Sequence, residues 1–143
     1  METGFYLQAH GEEDFNFLMG LPEKQGTDLY YILHGYCDIC ADILHKQFGY
    51  PMEYIIDENG DLVHAYCYTK VDGEKHYIDV RGITTDYQSF LSDFEDFILD
   101  AEMARRNTMQ GNYPKWVENE ELYNNVKFSL MQYKDFYDVQ KYL

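Results

Sequence analysis

Basic residues, prolines and cysteines are scarce in this 143-residue chain, and each shortage excludes something. Eleven Lys and Arg stand against 26 Asp and Glu, a formal net charge of -15. Binding to nucleic acid or to an anionic membrane depends on clustered Lys and Arg, so neither is expected as a direct partner. Three prolines and no long polar tract argue against linkers and low-complexity segments. Residues 1–143 therefore read as a single domain, large enough to bury a core. Three cysteines, Cys37, Cys40 and Cys67, are an odd number and make no disulfide framework. No apolar run approaches the roughly 20 residues of a membrane span. The start, Met1-Glu2-Thr3-Gly4-Phe5, lacks the basic and apolar stretches of a secretion signal. A reducing cytoplasm is the expected compartment.

Aromatic residues are abundant: 15 Tyr, 9 Phe and 1 Trp make 17% of the chain, which predicts a packed fold. Residues 1–26 read as an irregular lead-in, and an apolar segment from Asp28 to Leu33 breaks at Gly35. A helix is predicted from Tyr36 or Cys37 to Phe48, because Cys37, Cys40, Ala41, Leu44 and Phe48 recur at helical spacing and Gly49 is a natural stop. Strands are predicted at Met52–Ile56, Leu62–Lys70 and Lys75–Val80, joined by turns at Asn59-Gly60 and Asp72-Gly73. Beyond Gly82, Thr85 or Asp86 caps a helical segment carrying Phe90, Leu91, Phe94, Phe97, Ile98 and Ala101. Asn112-Tyr113-Pro114 breaks the chain, and one or two further helices are predicted over about 118–143. The expected class is α+β, with a nucleophile helix, a three-stranded antiparallel meander and a C-terminal helical layer.

The chemistry-bearing pattern is Cys37, then His64, then Asp79. A neutral thiol is a poor nucleophile; an imidazole that takes its proton, itself oriented by a carboxylate, makes it a good one. Cys37 at a helix N-terminus is where unpaired amides favour a thiolate and can serve an oxyanion. A hairpin turning at Asp72-Gly73 brings His64 across from or diagonal to Asp79. Cys40, one turn deeper, reads as core. Asp38, next to the thiol, opposes its ionisation.

Three stretches, Gly35-Tyr36-Cys37-Asp38-Ile39-Cys40-Ala41, Leu62-Val63-His64-Ala65-Tyr66 and Tyr77-Ile78-Asp79-Val80-Arg81-Gly82, resemble the papain-like cysteine superfamily. The resemblance is to its transglutaminase-like branch and covers about residues 35–82; the 15-residue interval from His64 to Asp79 also resembles arylamine acetyltransferases. It implies a Cys37 nucleophile, a His64 base and an Asp79 orienter. The implied activity is that of a thiol hydrolase or acyl transferase (peptidase, amidase or deamidase type) acting on a protein or peptide without a cofactor. An upstream glutamine to complete an oxyanion hole is at best Gln25, and Asp38 stands where that branch has an aromatic residue.

Other readings of the same residues stand beside this one. Cys37 also reads as a buried structural cysteine, His64 as a satisfied core or edge histidine, and Asp79 with Arg81 as a surface ion pair. His34, Cys37, Cys40 and His45 contain one Cys-x-x-Cys but no second ligand pair at zinc spacing, so no metal is expected. Asp57-Glu58-Asn59-Gly60-Asp61 lacks the glycine placement and distal glutamate of a calcium loop and reads as a turn. The alternative function is a non-catalytic acidic binding protein on a papain-like scaffold, such as a phage-encoded anti-defence inhibitor of a nucleic-acid-binding protein. Its partner would be basic.

Overall fold

The helix α1, Cys37–Phe48, ends where the sequence predicts: Gly49 takes a left-handed φ of 77° and its N–H reaches the His45 carbonyl at 2.8 Å. Only glycine enters that region without strain. The computed structural model that describes this helix covers residues 36–94, 98, 101–110, 120–132 and 134–142. The lead-in, the Asp28–Leu33 segment, His34, Gln25 and the Asn112-Tyr113-Pro114 break lie outside the described residues.

After α1 come β1 (Met52–Ile56), β2 (Leu62–Val71), β3 (Glu74–Asp79) and β4 (Gly82–Thr84). Next are α2 (Tyr87–Leu91), α3 (Ala101–Arg106), β5 (Thr108–Gln110), α4 (Glu120–Gln132) and α5 (Val139–Tyr142). One-turn 3-10 segments follow α2 at Ser92–Phe94 and precede α5 at Lys134–Tyr137. The architecture is mixed α and β, with an antiparallel sheet ordered β4-β3-β2-β1-β5.

The expected meander is thus the centre of a five-stranded sheet, widened by a three-residue strand at each side. The β1–β2 turn is built on Asp57, whose Oδ1 accepts the Asn59 and Asp61 amides at 2.8 and 2.9 Å. The β2–β3 turn places Asp72 and Gly73 at φ 52° and 82°. Two consecutive positive φ values match the right-handed twist of a tight hairpin.

Strand alternation sends side chains to two covered faces. Tyr54, Ala65, Cys67, Ile78 and Val80 join the apolar cluster of α1 and α4, to which α4 contributes Leu122, Val126 and Leu130. Ile55 and Tyr66 turn the other way, onto Phe90, Leu91, Ile98 and Ala104. At the C-terminal side, the Tyr50 hydroxyl donates to the Tyr137 carbonyl at 2.7 Å and accepts the Val139 amide at 2.9 Å. The Tyr137 hydroxyl in turn donates to the Val80 carbonyl at 2.9 Å.

The continuous helix expected through Phe90 and Ala101 does not form. Asp86 caps α2 by accepting the Gln88 and Ser89 amides, but the helix tightens at Ser92, whose hydroxyl bonds back to the Ser89 carbonyl at 2.7 Å. Serine hydroxyls compete with helical backbone bonds in this way.

Candidate active site

Cys37 opens α1 next to an end that has no side-chain cap: Tyr36 precedes it with φ -122°, and the Cys40 amide reaches the Tyr36 carbonyl at 3.1 Å. The thiol Sγ accepts the backbone amide of Ala65 at 3.3 Å. That amide is accessible to sulfur because of the strand register. The β2–β3 ladder begins at Cys67↔Ile78 and β3 ends at Asp79, so Ala65 lies beyond the last rung on that side. Cys37 is therefore held beside the residue that follows His64.

His64 reaches Asp79 directly: Nε2 and Oδ2 are 2.8 Å apart. With Cys67 opposite Ile78, Tyr66 is level with Asp79 and His64 lies one diagonal step away on the same face, as the hairpin predicts. A bulge contributes as well. Ile55 faces His64 and Ile56 faces Leu62, leaving Val63 as the extra residue immediately before the histidine. Bulges re-aim neighbouring side chains. The His64 ring stacks on Phe94 at 4.3 Å between centroids and flanks Tyr66 at 5.7 Å.

Arg81, which the sequence also allowed in a surface ion pair with Asp79, is buried. Its pair with Asp79 is not on the surface: side-chain exposure is 1% for Arg81 and 2% for Asp79. Arg81 gives Asp79 its backbone N–H at 2.9 Å and its Nη2 at 2.6 Å, and Nη2 also donates to the Phe90 carbonyl at 3.0 Å. Its guanidinium carbon lies 5.3 Å from the Phe90 ring centroid and 5.2 Å from that of Phe94. Burial pushes the Asp79 carboxyl up, but the Arg81 charge and the His64 hydrogen bond outweigh it and hold the group well below the usual carboxylate range. That shift favours the ionised carboxylate at neutral pH. The Asp-x-Arg alternation put both side chains on one face in the sequence; what covers that face was not visible there.

The thiol behaves differently from the sequence expectation. Cys37 is 6% exposed, and burial pushes its pKa up to about 12. The Ala65 amide pulls the other way, while the charges of Asp38 and Asp79 add to the rise. The helix-end effect, worth typically 0.3–1 kcal/mol, is smaller than the desolvation that opposes it. Asp38 folds back on its own helix end, accepting the Ile39 amide at 2.9 Å. Cys40 is buried and its thiol lies well above the ordinary value for the same leading reason, desolvation. The Cys67 thiol donates to the Ala41 carbonyl at 3.3 Å.

Cys37 and His45 lie eight residues apart on α1, about 12 Å along the axis, too far to share one ion. The Nδ1 of His45 is engaged with the Tyr50 carbonyl at 2.6 Å. Among the described residues, no group of three His, Cys, Asp or Glu side chains is arranged to hold a metal, and no helix is long and apolar enough to cross a membrane. Compared with protein-family models, curated proteins and solved structures, the chain matches none of them.

Proposed function

We propose that the chain is a thiol-dependent hydrolase or acyl transferase with a papain-like core, in which α1 presents Cys37 to a sheet that supplies His64 and Asp79. The observation that supports this reading is the buried His64–Asp79 hydrogen bond beside a thiol bonded to the next residue's amide. An Asp79–Arg81 pair would satisfy itself without a histidine; adding His64 to it makes a base with a fixed orientation.

With Nε2 given to Asp79, Nδ1 is the nitrogen left to take the thiol proton. Because His64 shares the Tyr66 face of the sheet while Cys37 packs on the other, the transfer requires ring and thiol to meet around the end of β2. Sulfur then adds to the carbonyl carbon of an amide or thioester, and the imidazolium returns its proton to the departing nitrogen or sulfur. Water or another acceptor, deprotonated by the same imidazole, releases the acyl group and restores the thiol. Asp79 stabilises the imidazolium and stays ionised itself, because Arg81 holds it so. Since the resting thiol is neutral, proton transfer accompanies the attack and no stored thiolate is involved.

A second reading, a non-catalytic acidic protein that binds a basic partner, is favoured by the burial of Cys37, by Asp38 beside it and by the net charge of -15.

One experiment separates the two. The protein is incubated with p-nitrophenyl acetate, and acylation is mapped by peptide mass spectrometry in the native chain, Cys37→Ser and His64→Gln, with circular dichroism checking each fold. Acetylation confined to Cys37, slowed in folded His64→Gln, supports the enzyme. Absence of acetylation, or equal modification of Cys40 and Cys67, refutes it.

A further inference from the structure

A cleft of about 250 Å³ opens on the sheet face opposite α1, away from the Cys37 thiol. Its floor spans three strands: pairing sets Gln110, Glu53 and Tyr66 in one row across β5, β1 and β2. Tyr77 and Lys75 come up from β3, Tyr87 from α2, and Arg105 from the last turn of α3.

The floor is a finished polar network. Buried Glu53 accepts from the Tyr66 hydroxyl, from Lys75 Nζ at 2.7 and 2.9 Å, and from Gln110 Nε2 at 3.1 Å. Its charge is thereby matched by Lys75, whose ammonium also lies 4.5 Å from the Tyr68 ring centroid and 5.4 Å from that of Tyr77. Among the described residues that line the cleft, Arg105 adds one positive charge beyond the Glu53–Lys75 pair, its guanidinium carbon 5.7 Å from the Tyr87 ring. The Tyr77 and Tyr87 rings stand 5.2 Å apart and form an aromatic wall beside that charge.

A cation, a second ammonium and an aromatic wall in one small cavity are complementary to a flat ring that bears a negative group. We propose that this cleft binds a small planar anion, an aromatic carboxylate or phosphate ester, with its ring against Tyr77 and Tyr87 and its anionic group between Arg105 and Lys75. The cavity is below the roughly 300–1,000 Å³ of drug-sized pockets, which fits a ligand of one ring system. The acidic remainder of the chain does not prevent binding, because charges beyond about 8 Å are screened at physiological salt. The site does not depend on thiol chemistry, so its fate and that of the Cys37 reading are separable.

The test is calorimetric titration of the full chain with benzoate, phenyl phosphate, benzamide, benzylamine and inorganic phosphate. One of the two aromatic anions should bind with one-to-one stoichiometry, and which one does identifies the head group. Benzamide, benzylamine and inorganic phosphate should bind at least about tenfold more weakly, the worth of one charge-assisted contact. Arg105 is exposed, so Arg105→Ala should keep the native melting temperature while losing about tenfold in affinity. Cys37→Ser should bind as the native chain does. Failure of both aromatic anions to bind, benzylamine binding as tightly as benzoate, or an unchanged affinity in Arg105→Ala would overturn the proposal.

Discussion

Replacing Arg81 with methionine removes the guanidinium while keeping much of the side-chain volume, and it isolates the electrostatic core of the candidate site. The native Asp79 carboxylate receives the Arg81 backbone N–H, Nε and Nη2 and the His64 ring. In Arg81→Met, of these contacts only the backbone amide and the imidazole remain, on a carboxylate that is 2% exposed. Breaking a buried pair from one side costs about 3–5 kcal/mol, a large part of the 5–15 kcal/mol that holds a typical domain together. At roughly 3–4 °C per kcal/mol for a chain of this size, the melting temperature should fall by about 9–20 °C.

The pH dependence carries the sign. In the native chain Asp79 ionises below its unfolded value, so its contribution is complete above about pH 4 and is lost as pH falls through the folded value. Without Arg81, burial dominates and the folded carboxyl ionises above its unfolded value. The charged form then destabilises at neutral pH, and protonation relieves it on acidification. Urea unfolding at about pH 7.5 and about pH 5 should therefore show a smaller deficit, relative to the native protein, at the lower pH. The double variant Asp79→Asn with Arg81→Met should recover much of the loss, because no buried charge is left over. A deficit under about 1 kcal/mol, or one that grows on acidification, refutes this account.

Two further outcomes are expected. Tyr50→Phe orphans the buried Tyr137 carbonyl and Val139 amide that its hydroxyl joins; urea unfolding should register a loss of about 2 kcal/mol, and a loss within error would mean the contact is not maintained in solution. Asp38→Asn keeps an oxygen for the Ile39 amide but removes a charge that raises the Cys37 pKa. Iodoacetamide should then alkylate Cys37 faster than in the native chain, as followed by peptide mass spectrometry; an equal or slower rate would deny Asp38 any electrostatic hold on the thiol.

Locally encoded features were legible in the sequence. Gly49 stops α1, and Asn59-Gly60 and Asp72-Gly73 fix the turns of β1–β2–β3, each by a backbone conformation that few residues adopt. The His64–Asp79 contact follows from hairpin register and was legible for that reason. What failed depended on neighbours distant in sequence. The strands β4 and β5 are three residues each, too short for alternation to mark them, and exist through pairing with β3 and β1. Phe90, Phe94 and Ile98 keep helical spacing although the helix tightens at Ser92, because an apolar repeat records burial and not backbone continuity. A surface pair for Arg81 stayed open in the sequence because Phe90 and Phe94, which lie over its guanidinium, come 9 and 13 residues later. The thiol's ionisation was misjudged for the same reason: a helix end is local, whereas desolvation is set by the whole fold.

The hydroxyl of Tyr50 also dictates an order of assembly. The hairpins of the sheet close through turns of a few residues, whereas this clamp joins positions 87 and 89 residues apart. Loop-closure entropy rises with the length enclosed, so the sheet with α1 is expected to form before the segment around Tyr137 and Val139 docks. Contacts made after the rate-limiting step govern unfolding and leave folding rates nearly untouched. The C-terminal layer is thus expected to act as a latch, closing last and opening first.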